Sequence, residues 1–223
     1  YIPDGAGLEL SELPAGLILT GQKEEATGIR KRMEIRMQAE QDSVHLVHTL
    51  TNEGAENVEL APWAITMFRL GGTAILPLRA RDSKREGLLP DRRFSLWPYS
   101  RIDDPRLTWQ DDYILVSPRA GLPPLKIGTF NPTGWIAYWL DGVLFRKTFA
   151  VKPARRHPDL GCNSEIYCDA AILELEALGP LSKMRPGQSV SLSETWDLYD
   201  TLDVEFLPER LRAQLLNPRR VEG

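Results

Sequence analysis

The chain has 223 residues, enough for one large domain with a proper core. Its 27 Lys and Arg against 31 Asp and Glu leave a net charge of −4, so no basic surplus points to a nucleic-acid partner, and no apolar run approaches the roughly 20 residues of a membrane span. Two cysteines are too few for a disulfide framework, and the three histidines show no clustered ligand spacing with them, so two unpaired thiols, no metal and no cofactor are expected.

The opening, YIPDGAGLEL, carries no visible signal-peptide pattern and no initiator Met. That leaves room for residues or a signal peptide upstream and leaves the compartment open. From Ile29 the dominant period is two. IRKRMEIRM sets Ile29, Lys31, Met33, Ile35 and Met37 against Arg30, Arg32, Glu34 and Arg36, and VHLVHTLT puts Val44, Leu46, His48 and Leu50 on one face. Both predict half-buried antiparallel strands. A histidine on such a face is more often a satisfied core residue than a catalytic group, although imidazole is readily tuned for proton transfer.

Between Arg79 and Pro105 the chain turns polar and basic, with Arg79, Arg81, Lys84, Arg85, Arg92 and Arg93. It reads as a long excursion from the sheet. Its plain reading is a solvated loop; the sharper one is recognition of an anionic sugar, because guanidinium forks suit carboxylates and phosphates. GWIAYWLDGVLFRKTF predicts a hairpin turning at Asp141-Gly142. Trp135 and Trp139 share one face of its first strand, Tyr138 the other, so only one of these sets can line a site.

DAAILELEALGP, residues 169–180, holds two glutamates two apart in an apolar run. On a strand, Ala171, Leu173, Leu175 and Ala177 form the core face, and Ile172, Glu174, Glu176 and Leu178 the other. Two like charges side by side require water, or a cationic or hydroxyl-rich neighbour. PGQS at 186–189 predicts a turn, and SVSLSETWDLY a strand with Val190, Leu192, Glu194, Trp196 and Leu198 on one face. LPERLRAQLL is the best helix signal, with Pro208 in the first turn and Leu207, Leu211 and Leu215 repeating by four. Many strands and almost no helix indicate an all-β sandwich or barrel.

Three stretches in order, VHTLTNEGAENVELAPWAITMFRLGG (47–72), LKIGTFNPTGWIAYWLDGVLFRKTF (125–149) and NSEIYCDAAILELEALGPLSKMRPGQSVSLSETWDLY (163–199), together resemble the galactose mutarotase-like (aldose 1-epimerase) superfamily. The resemblance is closest to its branch of sugar-binding-like domains with no assigned activity. It implies a large antiparallel β-sandwich, often called a supersandwich, with residues 1–223 forming one such domain that lacks some N-terminal strands of full-length members. It also implies a carbohydrate ligand. The family's base is a late-strand glutamate before a Pro-containing turn, which maps to Glu174 or Glu176, with Glu174 preferred. Trp63 stands where the family carries its general-acid histidine, and Lys126 near the place of a sugar-binding aspartate. The resemblance therefore leaves His48 or Lys126 as the acid, and Trp63, Lys126, Glu176 and Glu165 as ligand contacts. Three readings stay open: a sugar epimerase, a non-catalytic sugar-binding module, and a domain of a glycoside hydrolase or lyase, for which a third carboxylate such as Glu165 is needed.

Overall fold

Alternating apolar positions, Gly-marked turns and β-branched runs give strands almost throughout. The computed structural model describes residues 7–38, 43–79, 90–203, 205 and 207–216. In chain order the elements are β1 (Glu9–Leu13), β2 (Gly16–Lys23), β3 (Ile29–Gln38), β4 (Ser43–Asn52), β5 (Val58–Leu60), β6 (Trp63–Arg69), β7 (Thr73–Pro77), β8 (Phe94–Leu96), β9 (Leu107–Trp109), β10 (Tyr113–Val116), β11 (Leu125–Thr129) and β12 (Trp135–Leu140), followed by β13 (Val143–Phe149), β14 (Ser164–Cys168), β15 (Ile172–Leu178), β16 (Ser182–Met184), β17 (Ser189–Tyr199) and the helix α1 (Glu209–Leu216). Arg81, Lys84 and Arg85 lie outside the described residues.

A ten-stranded sheet runs β1-β2-β3-β4-β17-β13-β12-β7-β10-β9, and a five-stranded sheet runs β6-β15-β14-β11-β8. Every pairing is antiparallel, and β5 with β16 forms a small extra ribbon. The main core lies between the two sheets. Leu76, Ile114, Ile136, Tyr138 and Phe145 from the large sheet meet Leu125, Ile127, Ile166, Leu173 and Leu175 from the small one. This core draws on β17, β13, β12, β7 and β10 of the large sheet but on no residue of β1 to β3. Those three strands extend past the smaller layer, which is why the alternation of β3 ends in Met37 at 57 % exposure.

The hairpin turns where expected: Leu140 faces Val143, and Asp141 and Gly142 both have positive φ, as a primed two-residue turn needs. A second apolar cluster covers the outer face of the large sheet. There Leu207, Leu211 and Leu215 pack on Ile75, Leu115, Ala137 and Leu144, with Trp135 and Trp139 at its margin. The two tryptophans are therefore spent on seating α1, while Tyr138 points into the main core and donates its hydroxyl to the Arg69 carbonyl. Ala171, assigned above to the core face, is exposed instead. It sits in the turn before β15, where Asp169 accepts the Ala171 and Ile172 amides, so the alternation starts one residue later.

Asn52 closes the end of β4. It is fully buried, donates Nδ2 to the carbonyls of Glu56 and Met184, and accepts the Gly54 amide. The turn after β4 is thereby tied to the turn before β17. Both cysteines are free and buried, and burial pushes each thiol up to about 11. No helix of the described residues is long and apolar enough to cross a membrane.

Candidate functional site

The small sheet has one face in the core and one facing outward. Register places Met67, Glu174, Tyr167 and Lys126 in one row of the outward face, and Ile65, Glu176, Glu165, Gly128 and Ser95 in the next. Their alternates Leu173, Leu175, Ile166 and Ile127 are fully buried between the layers. Gly128 makes room in this row, because a Cβ there would come within 3.0 Å of Glu165 Cγ.

Lys126 is the centre of the arrangement. Its Nζ lies 2.7 Å from Glu165 Oε2 and 2.8 Å from Glu176 Oε2. It also lies 5.0 Å from the centroid of the Trp63 ring and 4.6 Å from that of Trp97, close enough for cation–π attraction to both. Trp63 donates its indole N–H to Glu176 Oε2 at 2.5 Å. One carboxylate oxygen thus fixes the ammonium and the ring together. Trp97 and Tyr99 reach this place through Ser100, whose hydroxyl accepts the Lys126 amide at 2.8 Å and donates to the Lys126 carbonyl at 2.9 Å. A single side chain clips the loop after β8 onto β11. Tyr99 then meets Tyr167 edge-on, with ring centroids 6.5 Å apart.

Burial divides the cluster into a floor and a surface. Glu165 and Glu176 are fully buried and Lys126 is only 8 % exposed, whereas Trp63 is 47 % and Tyr99 45 % exposed. Burial raises the Glu165 pKa to about 8, against the pull of Lys126. Two buried carboxylates beside one ammonium carry a net negative charge, which a proton held on Glu165 removes. Burial opposes the charge of Lys126, but Glu176 and Glu165 outweigh it and hold its pKa above the ordinary value. Half-buried Glu174 is raised by desolvation and then by Glu176. Burial also raises the phenols of Tyr99 and Tyr167.

Of the residues singled out from sequence, Trp63, Glu165 and Glu176 all gather around Lys126, and Glu174 shares their face. His48 is not brought to them. It faces Leu192 across the β4–β17 ladder, with Nε2 3.4 Å from Glu194 Oε2 on the large sheet. Its strand belongs to the other layer, and its alternation turns it toward the buried side with Leu46. Its pairing there leaves no path to a ligand held on the opposite side of the small sheet. Sequence reasoning missed Trp97, Tyr99 and Tyr167. Tyr167 was legible by alternation from Glu165. SLWPYS had an aromatic pair as its signal, but the β8–β11 pairing that seats it is nonlocal. Among the described residues, no group of three or more His, Cys, Asp or Glu is placed to hold a metal.

No protein-family profile matches the chain, and no curated protein matches it in sequence. Solved structures do match. A candidate aldose 1-epimerase from Escherichia coli K12 superposes with a TM-score of 0.53 at 14 % identity, over 86 % of this chain and 68 % of that one. A galactose mutarotase-like protein from Lactobacillus casei gives 0.50 at 8 % identity, over 86 % and 73 %. A TPR-domain containing protein from Parabacteroides distasonis gives 0.57 at 12 % identity, over 90 % of this chain but 36 % of that one. At such identities the similarity speaks for architecture alone: the chain has the galactose mutarotase-like fold.

Proposed function

We propose that the outward face of the small sheet binds a carbohydrate, with Trp63 as stacking platform and Lys126 and Glu174 as hydrogen-bonding groups. The observation that carries this reading is the fixed, half-exposed indole of Trp63, held by Glu176 beside a buried cation. A pyranose lays its apolar face on such a ring, while its hydroxyls meet charged partners at the edge. The ammonium has three N–H groups, and two carboxylates account for two of them. Glu174 supplies a second polar edge. That two of the solved structures of this fold are mutarotase-like proteins makes a sugar the first ligand to test.

Binding without catalysis is the version we favour. Mutarotation needs a base and an acid whose pKa values lie near the working pH. Glu174, with its raised pKa, suits the base. Lys126 does not suit the acid, because its neighbours hold its proton more tightly than in water. Indole cannot serve, and both tyrosines are shifted further from neutrality. Titration calorimetry against a panel of neutral and acidic sugars tests binding; polarimetry on freshly dissolved α-glucose and α-galactose tests catalysis. Sugar binding with no acceleration of mutarotation is the expected result. Failure of every sugar to bind removes the proposal, and fast equilibration abolished by Glu174→Gln restores the epimerase reading.

A further inference from the structure

A cleft of about 520 Å³ opens beside the end of β11, away from Lys126. Arg93, Arg155, Arg156 and His157 line it, together with Phe130 and Leu160. We propose that this cleft is a binding site for a small organic oxyanion, a phosphate or carboxylate carried on a ring or short apolar body. It stands apart from the carbohydrate reading and survives or fails separately.

The charge distribution is the first reason. Among the described residues, no carboxylate lines the cleft. Arg156 is paired with Glu59 at its edge, but neither Arg93 nor Arg155 has an acidic partner among the described residues. In a protein with net charge −4, unpaired guanidiniums beside one cavity form a local positive site. Guanidinium forks bind phosphate and carboxylate through paired N–H donors.

The build of the walls is the second reason. Gly161 has φ +98, and a Cβ there would meet the tip of the Arg93 side chain, so the guanidinium as placed lies directly over this glycine. The turn leading to it holds Asp159 and Leu160 in the left-handed region, at φ 48 and 61, with the Gly161 and Cys162 amides both bonded to the Pro158 carbonyl. Such conformations are costly for residues other than glycine. They leave Leu160 76 % exposed at the cleft rather than folded inward. On the other wall Phe130 meets His157 edge-on at 5.4 Å, and the imidazole is held through Nδ1 at 3.1 Å from the Arg155 carbonyl. A carbonyl only accepts, so Nδ1 carries the hydrogen. The volume lies in the range of small-molecule sites and is too large for a bare ion alone, and the apolar walls suit an organic body.

The test titrates the full chain with phenyl phosphate, benzoate, inorganic phosphate and benzyl alcohol at low ionic strength, by calorimetry. One-to-one binding of phenyl phosphate, benzoate or both is expected, with benzyl alcohol at least about tenfold weaker. Arg155→Ala and Arg93→Ala should each weaken the anion about tenfold or more, the scale of one charge-assisted contact. Gly161→Ala should weaken it as well by displacing Arg93, with thermal unfolding run on each variant to confirm folding. Preference between the phosphate and the carboxylate probe assigns the class. Equal binding of benzyl alcohol, binding that survives both arginine variants, binding lost in Lys126→Met but not in Arg155→Ala, or no binding of any probe at millimolar concentration would each overturn the proposal.

Discussion

Two buried lysines lie back to back across the small sheet, and they are used differently. Lys147 of β13 is fully buried between the layers, with Nζ 3.1 Å from Glu194 Oε1, and it donates to the carbonyls of Ala64 and Leu175 on the opposite sheet. Lys126 stands on the other side of the same strand β15, with two carboxylates and two indoles around it. Burial drives the Lys147 pKa down despite Glu194, whereas the paired carboxylates drive that of Lys126 up despite burial. Glu194 is opposed by burial as well, but His48 and Lys147 keep its pKa low, and Trp196 donates to it at 3.0 Å. Every partner of the first lysine is internal, so it ties two sheets together. The second lysine has its anchors below and exposed rings beside it, so it presents a surface. A buried charge is thus informative about function only when one side of it is left open.

The largest expected effect separates the two lysines by stability. Lys147→Met takes the ammonium from buried Glu194, leaving it only His48 and Trp196 as partners among the described residues, and removes the donor from two carbonyls. Breaking a buried pair in this way costs about 3–5 kcal/mol. Lys126→Met should cost less, because Glu165 already favours its protonated form and Trp63 still donates to Glu176. Denaturant unfolding of both variants at pH 7 measures the difference, and Lys147→Met/Glu194→Gln should recover a large part of the loss. Equal losses for the two single variants would erase the distinction drawn here.

The pH dependence of stability should carry the signature of Glu165. Its folded pKa of about 8 lies above the ordinary value of 4.5. Between those values the native chain holds a proton that the unfolded chain releases, so the contribution of Glu165 to stability is full below pH 4.5 and is lost as pH rises toward 8. A shift of this size corresponds to a loss on the order of a few kcal/mol across the window. Glu165→Gln should flatten that slope and raise stability at pH 8. A slope unchanged in the variant would mean that Glu165 is ionised in the folded protein and that its proton plays no part.

For the surface role, Trp63→Ala should weaken sugar binding about tenfold, near 1.4 kcal/mol, by removing the stacking ring. Its cost in stability should stay near 1 kcal/mol, since nearly half of the side chain is already in water. Calorimetry with whichever sugar binds the parent chain decides this. A large stability loss with unchanged affinity would make Trp63 a lid on Glu176 and nothing more.

How much of this was legible in the sequence follows from how local each feature is. The alternation in β3, β4, β15 and β17 depends on neighbours along the chain, and the structure keeps all four strands. The Asp141-Gly142 turn and the 207–211–215 repeat are local as well. Placing Glu174 and Glu176 opposite Leu173 and Leu175 needed only period two. Which layer each face belongs to was not local. His48 and Glu174 sit on similar half-apolar strands, yet one strand lies in the large sheet and the other in the small one, and nothing within ten residues of either says so. Burial depth was equally hidden. Glu165 and Glu176 read as ligand contacts, but they form the floor beneath Lys126, and a second indole, from Trp97, flanks the cation from a segment that reads as a polar excursion.

Ser100 offers the smallest and most local test of that hidden feature. Its hydroxyl replaces a neighbouring strand at Lys126, pairing both the amide and the carbonyl of that one residue. Ser100→Ala deletes both bonds but removes no group from the face itself. Solvent can replace part of what is lost, since Ser100 is only partly buried, so the stability cost should be about 0.5–1.5 kcal/mol. The loop bearing Trp97 and Tyr99 should then move off β11. Sugar affinity should drop severalfold, less than for Trp63→Ala, while the Lys147 side of the sheet stays unchanged. Amide hydrogen exchange at Lys126 measures the detachment directly and should speed up in the variant, with the Trp97 fluorescence contribution shifting toward that of a solvated indole. Ser100→Thr keeps the hydroxyl and should restore both signals. If Ser100→Ala leaves exchange at Lys126 and sugar affinity as they were, the ammonium and its two carboxylates hold the aromatic loop without help, and Lys126 is as self-sufficient as Lys147.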